Sequence, residues 1–535
     1  AFSVHDNRYF SSYIYKNIEK SIPNIEFKKE YWRLDLSILG IDMGTTGTKA
    51  IAFDYDGKIL SGNYIEYDTV FVKEGFIEIE PQVVIKSALN VLKKVASEVS
   101  KKDPIKAIGI SCLGAVVVPI DNNGKYLHNG ITFMDSRTVE RFEEKTGMDG
   151  FEVYSITGIP PNPFFTLSKI LWLKENKPGI FNSGATFYSF KELLHIKLGI
   201  EPKSDPSIAS STMMFDLNNN NWSDKIFKNI GLGIDRFPEI VESGEIIGEI
   251  EQIKANELNL EKGVKVIAGA VDTATCPLGA GVYKPGLVSN TIGTFEEAVT
   301  ISDKIKIDRD MMEKGIIYSK HLLPNKYLVQ GFPTTGGHVL KWFKNQFCEL
   351  EEDAAEKKEI DPYDIILDKI DVTDTDILFL PHLSGSGTPN IDENSRGAFL
   401  KISAGSTKAD FTKAIIEGLN FEIKIAIDYF EEEIGKINEI HVTGGAVKSD
   451  KWMQIKSDIL DKDIISFEVN EAGVLGAAIL TAYGTGEYKN IDEAEKNMTR
   501  TKKIFKPDKN KSGYYNQKYS SYKKLYDILK EINNS

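Results

Sequence analysis

The stretch ILGIDMGTTGTKAIAFD, residues 38–54, decides the first interpretation of the chain. Apolar residues lead to Asp42, a run of Gly and Thr follows, and a second apolar run begins after Lys49. This order predicts two strands joined by a turn whose backbone N–H groups can hold an anion. Because a carboxylate beside a phosphate needs a cation between them, the turn indicates a magnesium nucleotide. A plain hairpin turn explains this stretch equally well.

Composition limits the class of protein. The 535 residues predict more than one domain, and 41% hydrophobic with 27% charged residues are typical of globular proteins. The net charge of -13 argues against a nucleic-acid partner. No apolar run approaches the ~18 residues that span a bilayer. With no signal peptide evident and three widely spaced cysteines, we expect a cytoplasmic protein without a membrane partner.

The two halves of the chain show the same order of predicted elements. The first half gives strands at 37–43, 48–54 and 59–68, a helix at 83–99 and a strand at 105–111. The second half gives a strand, a Gly-Thr turn and a strand at 286–302, a helix at 408–430, and a strand with a glycine turn at 437–449. Two matching turns can hold one phosphate chain from opposite sides, which favours nucleotide binding over a plain hairpin.

This order predicts domains at 35–284 and 285–535. Residues 1–34 are aromatic and polar without a clear period, and we interpret them as an N-terminal extension of unknown role. The acidic segment 348–376 is expected to be a solvated insertion or a surface helix.

Six motifs, taken in chain order, resemble the FGGY family of carbohydrate kinases. They are DMGTTGTK (42–49), FFTLSKILWLKEN (164–176), GAVDTATCPLGAGV (269–282), NTIGTFEE (290–297), GAFLKISAGSTKADFTKAIIEG (397–418) and TGGAVKSDKWMQ (443–454). The resemblance implies an α/β fold, the actin-like ATPase (ribonuclease H-like) duplication, with two domains flanking a catalytic cleft. It also implies ATP-dependent phosphate transfer to a hydroxyl of a sugar or polyol, with Mg²⁺ as cofactor.

The resemblance further implies which residues bind the metal and the nucleotide. Asp42 is expected to hold Mg²⁺, and Lys49 is either a phosphate contact or a solvated strand residue. The residues expected to contact ATP are Gly44, Thr45, Thr46, Gly47, Lys49, Gly293, Thr294, Gly337, Gly444, Gly445, Ala446 and Ser449. Each glycine is also compatible with an ordinary strand-to-helix turn.

By the same resemblance, Asp272 is the general base that removes the proton of the substrate hydroxyl. A helix N-cap is the structural alternative for Asp272, and both can hold. Gly114 and Ala115 occupy positions where xylulokinases and glycerol kinases carry larger substrate-contacting side chains, so glycerol is disfavoured. Asp135 is expected to bond a sugar hydroxyl with Arg137 bracing it, and a purely structural Asp–Arg pair is an equal alternative.

The substrate is the least determined part of the prediction. A xylulose-like ketose is expected, with gluconate, ribulose, erythritol or an autoinducer-type signalling molecule as alternatives. A catalytically silent sugar sensor is less expected because Asp272 and both phosphate turns are intact. A homodimer is left open.

Overall fold

The computed structural model describes residues 36–99, 103–137, 142–371 and 374–533. The predicted extension at 1–34 lies outside the described residues. Two seven-stranded sheets carry the described part of the chain, one in each predicted half. The two α/β halves expected from the order of elements, and the duplication that the resemblance implies, are therefore confirmed.

The first sheet is formed by residues before position 272. Its strands, in spatial order, are Ile246–Glu249, Lys265–Ile267, Ile105–Cys112, Ser37–Met43, Gly47–Asp54 and Ile59–Glu66, and Ala270–Val271 pairs with Ile105–Cys112. The predicted strands at 37–43, 48–54 and 105–111 match this sheet to within one residue at each end.

The second sheet repeats the pairing pattern. Its strands, in spatial order, are Ile317–Lys320, Tyr327–Gly331, Glu296–Ser302, Leu287–Ile292, Glu439–Gly444, Asp463–Phe467 and Thr501–Phe505. In each sheet the first strand of the half runs antiparallel to the next strand and parallel to a later one. The two halves thus share one topology.

The registers of the two sheets place corresponding residues beside the two turns. In the first sheet Asp42 pairs with Lys49 across the hairpin and with Ser111 on the parallel strand. In the second sheet Thr291 pairs with Glu297 and with Thr443. Each turn therefore lies at the end of an equivalent pair of strands.

Helices cover both sheets. Those of the first half are Pro81–Val99, Phe142–Thr146, Gly150–Thr157, Thr166–Asn176, Pro178–Asn182, Phe190–Lys197, Pro206–Ser210, Asp224–Ile230, Gln252–Glu257 and Asp272–Gly279. Those of the second half are Arg309–Glu313, Gly337–Phe347, Glu349–Lys358, Pro362–Ile366, Lys408–Ile434, Asp450–Leu460, Ala472–Gly484, Ile491–Met498, Ser512–Tyr522 and Leu525–Asn533.

Short strand pairs complete the fold. They are Val70–Lys73 with Phe76–Ile79 and Gly130–Ile131, Val118–Ile120 with Thr186–Tyr188, Lys203–Ser204 with Glu239–Ile240, Phe215–Asp216 with Asn221–Trp222, and Leu378–Leu380 with Ala398–Leu400. None of the described helices is long and apolar enough to cross a lipid bilayer.

Two helices cross between the halves at a pair of glycines. A Cβ atom on Gly279 would lie 1.9 Å from the carbonyl oxygen of Ala472, and one on Gly476 would lie 1.9 Å from that of Thr275. Only glycine permits so close an approach of the two backbones.

The later of these two helices, Ala472–Gly484, packs into the hydrophobic core of the first sheet. The domain boundary predicted at 284/285 stays a prediction. A helix from the second half lies against the sheet of the first half, so contacts alone do not separate the two domains.

Candidate active site

Asp42 lies at the end of the strand Ser37–Met43, directly before the first Gly-Thr turn. Its Oδ1 accepts a hydrogen bond of 2.6 Å from the Ser111 hydroxyl, which in turn accepts one of 2.8 Å from Thr275. Burial raises the pKa of Asp42, whereas the Ser111 bond and the charge of Lys49 lower it. A carboxylate with one oxygen occupied in this way keeps the other available to a cation.

Asp272 is the first residue of the helix Asp272–Gly279, whose N-cap is Val271, so a helix does begin here but the N-cap alternative for Asp272 is wrong. Its Oδ1 accepts a hydrogen bond of 2.8 Å from the N–H of Thr273. Burial, followed by the negative charge of Asp42, raises the pKa of Asp272 to about 7, while backbone N–H groups that include that of Gly114 oppose the shift. A carboxyl group with this pKa can exchange a proton near neutral pH.

A buried polar network holds the segment that leads to Asp272. The ammonium of Lys191 donates to the Ala268 carbonyl at 2.8 Å and lies 3.2 Å from Asp205. Asp205 accepts from the Ser207 hydroxyl at 2.5 Å, and Ser207 accepts from the N–H of Val271 at 3.0 Å. The position of Asp272 is therefore supported by Lys191 on one helix and by Asp205 at the N-cap of another, which sequence reasoning missed.

The first turn, at 44–47, is a hairpin closed by a bond of 3.0 Å from the N–H of Gly44 to the carbonyl of Gly47. Thr45 is half-buried and Thr46 exposed, so this turn is open to a ligand. The ammonium of Lys49 forms an ion pair with Glu471, the residue before the helix Ala472–Gly484. Lys49 therefore already has a carboxylate partner, and its contact with phosphate stays a prediction.

The second turn, at 293–294, contacts the start of the helix Gly337–Phe347. The N–H of Gly337 donates to the carbonyl of Gly293 at 2.9 Å, and that of His338 donates to Thr294 at 3.0 Å. These bonds fix the turn against the helix, so Gly337 supports the turn as well as facing the predicted nucleotide site.

A cavity of about 710 Å³ brings together most of the predicted nucleotide residues of the second half. The predicted residues that line it are Gly293, Gly337, Gly445, Ala446 and Ser449. Gly444 has φ +93°, and a Cβ atom there would lie 2.3 Å from the Ile292 carbonyl, so this neighbour of the cavity requires glycine. Ser449 also caps a helix, because its hydroxyl accepts from the N–H of Trp452.

One wall of the cavity comes from the acidic segment 348–376, which we expected to be a solvated insertion or a surface helix. The helix Pro362–Ile366 and the residues beside it contribute Asp361, Tyr363, Asp364, Leu367 and Asp368. On the facing wall, Lys451 lies 3.1 Å from Asp371 and 3.4 Å from Asp368. Part of this segment therefore forms a wall of the cavity as well as a solvated surface.

On the side where we expect the acceptor, Gly114 packs closely against Val271, the residue before Asp272. A Cβ atom on Gly114 would lie 2.8 Å from a methyl group of Val271. Ala115 has a left-handed backbone, with φ +54°. The loop that contains Gly114 and Ala115 therefore approaches Asp272 with its own backbone atoms.

Asp135 and Arg137 form the structural pair that was one of the two alternatives. Neither side chain is appreciably exposed, at 0% and 1%, and Arg137 Nη2 lies 2.7 Å from Asp135 Oδ2 and 2.8 Å from Glu78. Asp135 Oδ2 also accepts from the N–H of Ile77 at 2.7 Å. The guanidinium of Arg137 lies over the rings of neighbouring aromatic side chains, Phe76 and Trp172. Direct contact of Asp135 with a sugar stays a prediction.

Further acidic groups surround Asp272. Burial and then the charge of Asp272 raise the pKa of Glu297 to about 8, and Glu297 Oε1 has no hydrogen-bond partner among the described residues. Burial, with the charges of Asp42, Asp272, Glu297 and Glu471, raises the pKa of the Cys276 thiol. The sequence alone gives no signal that singles out Glu297. Its neighbour Glu296 is the same residue type, and the two differ only in the face of the strand on which their side chains lie.

These features define a class of protein. Two α/β units of one topology, each with a glycine turn at equivalent strand ends, and a carboxyl group of raised pKa between them form an actin-like ATPase fold suited to phosphate transfer.

The chain belongs to the FGGY family of carbohydrate kinases. The family's N-terminal domain matches residues 37–279, and its C-terminal domain matches residues 290–485. The protein is therefore an ATP-dependent sugar kinase.

Individual relatives agree with this assignment. A xylulose kinase of Bacillus subtilis is 27% identical over 501 residues, which cover 93% of this chain and 98% of the relative. A gluconokinase of the same organism is 29% identical over 462 residues, covering 85% and 89% of the two chains. The crystal structure of a ligand-bound xylulose kinase from Lactobacillus acidophilus superposes with a TM-score of 0.84 at 24% identity, covering 92% of this chain and 98% of that one.

Proposed function

We propose that Asp272 removes the proton of an acceptor hydroxyl while ATP is held between the turns at 44–47 and 293–294. The observation that carries this role is the position of Asp272, half-buried at a helix start with a pKa raised to about 7. A carboxylate that titrates near neutral pH accepts a proton readily, and a positioned base contributes about 10²–10⁴ in rate. The acceptor oxygen then attacks the γ-phosphorus, and ADP leaves.

Asp42 fits the role of magnesium ligand. A Cβ atom on Gly473 would lie 3.3 Å from Asp42 Oδ2, so glycine at this position keeps a side chain away from that oxygen. Carboxylate oxygen is the donor that Mg²⁺ prefers, commonly with several waters retained. Bound there, Mg²⁺ would neutralise phosphate charge, and Ser111 would hold the carboxylate in place.

A neutral ketose such as xylulose is the acceptor that we favour. Gluconate carries a carboxylate and needs a cation, yet Arg137 and Lys169, two cations beside the acceptor loops, are already engaged. Arg137 is paired with Asp135 and Glu78, and Lys169 donates to three carbonyl oxygens.

A panel of acceptors tests this proposal. ADP release would be measured with D-xylulose, D-ribulose, D-gluconate, erythritol, glycerol and a hydroxylated autoinducer, in the wild type and in Asp272→Asn. We expect the highest kcat/KM with a ketose and its loss in the variant. A preference for gluconate would overturn the choice of acceptor, and no phosphorylation of any compound would favour a silent sugar sensor.

Two further predictions stay open and are tested separately. Sedimentation velocity would show whether the protein forms a homodimer. Fractionation of the native cells would test the cytoplasmic location.

A further inference from the structure

Lys169 carries its ammonium group into the interior of the first half. The residue lies on the helix Thr166–Asn176 and has no exposed surface. Its Nζ donates to the carbonyl oxygens of Ala115 at 2.9 Å, Thr132 at 2.5 Å and Phe164 at 2.6 Å. Burial lowers the pKa of Lys169 to about 7, and its protonated form has three N–H donors and no acceptor, so these three bonds use the whole capacity of that form.

The first of these carbonyls belongs to the loop that approaches the base. Ala115 adopts a left-handed backbone, φ +54°, which is costly for a residue with a side chain. Such a conformation persists only where its surroundings hold it. Here the N–H of Ala115 donates to Ser211 Oγ at 3.2 Å, and its carbonyl accepts from Lys169. Gly114, directly before it, provides an N–H that lowers the pKa of Asp272.

The other two carbonyls belong to segments that form the rest of the acceptor side. The Thr132 carbonyl also accepts from the N–H of Asp135 at 3.1 Å, so Lys169 holds the turn that leads to the Asp135–Arg137 pair. The ring of Phe164 lies 5.6 Å from that of Phe133, the residue after Thr132. Three segments far apart in sequence therefore meet at one nitrogen atom.

We propose that Lys169 is a positioning residue that fixes the acceptor side of the active site by joining the segments at 113–115, 132–135 and 164–165. The three segments share no covalent link near the site, and each contributes one carbonyl to the ammonium. Burial of a charge is costly unless the charged group is fully hydrogen-bonded. If any one of the three segments moves away, one N–H of Lys169 is left without an acceptor. Lys169 thereby makes the three segments move together. The inference rests on the proposed placement of the acceptor beside Asp272.

The test compares Lys169→Met with Lys174→Met in the full chain. Lys174 lies on the same helix and donates to a single carbonyl, that of Ile230, at 2.8 Å, so its variant controls for loss of a lysine from this helix. We expect Lys169→Met to raise KM for the best acceptor by about 10- to 100-fold, because small displacements of positioning groups have effects of this size. KM for ATP should change less than about twofold. Lys174→Met should change neither.

A second readout does not depend on activity. Hydrogen–deuterium exchange should become faster in Lys169→Met at 113–117, 130–137 and 164–168, with the second half of the chain unchanged. This arm tests the inference even if no acceptor is found, a result that would refute only the proposed function. If Lys169→Met does not fold, Lys169→Gln, which keeps amide donors, takes its place in both measurements.

Three results would overturn the inference. One is a KM for the acceptor and a hydrogen–deuterium exchange pattern in Lys169→Met that both equal those of the wild type. Another is an equal rise of both KM values with faster exchange in both halves, since that describes general destabilisation. The third is the same local exchange pattern in Lys174→Met.

Discussion

Glu296 and Lys456 form an ion pair of 2.7 Å in which neither side chain is exposed to solvent. Glu296 follows the second turn, at 293–294, and Lys456 lies on the helix Asp450–Leu460, whose first residues line the cavity proposed to bind the nucleotide. The pair therefore ties the turn at 293–294 to the wall of the cavity. Removing one member leaves the other charge buried without its partner.

The first prediction is that Lys456→Met destabilises the protein by about 3–5 kcal/mol and weakens ATP binding. Chemical denaturation and calorimetric titration with a non-hydrolysable ATP analogue measure the two effects. The double variant Glu296→Leu with Lys456→Met is the control, because it removes both charges and should recover most of the stability. Unchanged stability in Lys456→Met would contradict the importance of this pair.

The second prediction separates proton removal from metal binding. Asp272→Asn keeps the shape of the side chain but loses the proton acceptor, so turnover should fall by about 10²–10⁴ while ATP still binds. Asp42→Asn should instead weaken the use of Mg²⁺, and excess metal should partly restore its turnover. Near-normal turnover of Asp272→Asn with the best acceptor would refute its role as base, and Glu297 would be the next carboxyl group to test.

The third prediction concerns pH. Protonated Asp272 cannot accept a proton, and its pKa is raised to about 7 by burial and then by the charge of Asp42. The kcat/KM for the acceptor should therefore fall about tenfold for each pH unit below about 7 and level off above it. Since the charge of Asp42 contributes to the shift, the acid limb of Asp42→Asn should move to lower pH. An acid limb that does not move would show that burial alone sets this pKa.

The fourth prediction uses two adjacent glycines as a matched pair. A Cβ atom on Gly445 would meet no atom within 4 Å, so Gly445→Val should fold normally but place its side chain in the nucleotide cavity. Gly444→Val should instead destabilise the fold, because its left-handed backbone and the Ile292 carbonyl at 2.3 Å exclude a side chain. Calorimetry should show weaker ATP binding in Gly445→Val at an unchanged melting temperature. Wild-type affinity in that variant would place the adenosine elsewhere.

The sequence was sufficient to predict the parts of the fold that depend on local pattern. The strands that flank the first turn follow from apolar runs interrupted by glycine, and the helix start at Asp272 follows from the small residues after it. Their strand and turn order, repeated in the second half, predicted the two α/β halves.

The supporting contacts could not be predicted from the sequence. Lys169 and Lys191 act through backbone carbonyls, which every residue carries, so their partners leave no signal in residue identity. The acidic segment 348–376 was misleading for a different reason. Its charge is typical of a solvated surface, and this concealed that Asp361, Tyr363 and Leu367 face the cavity.

Equivalent positions of the two sheets carry different side chains, although the two halves share one topology. Asp42, with Lys49 and Ser111 beside it, corresponds in register to Thr291, with Glu297 and Thr443. In the first copy a hydroxyl donates to a carboxylate, whereas in the second two threonine hydroxyls share a hydrogen bond of 3.1 Å. A carboxylate at both positions would repel a polyphosphate from two directions. Divergence of the repeats at this one register position therefore places a carboxylate beside one turn and a pair of hydroxyls beside the other, an asymmetry that fits the proposed binding of a magnesium nucleotide.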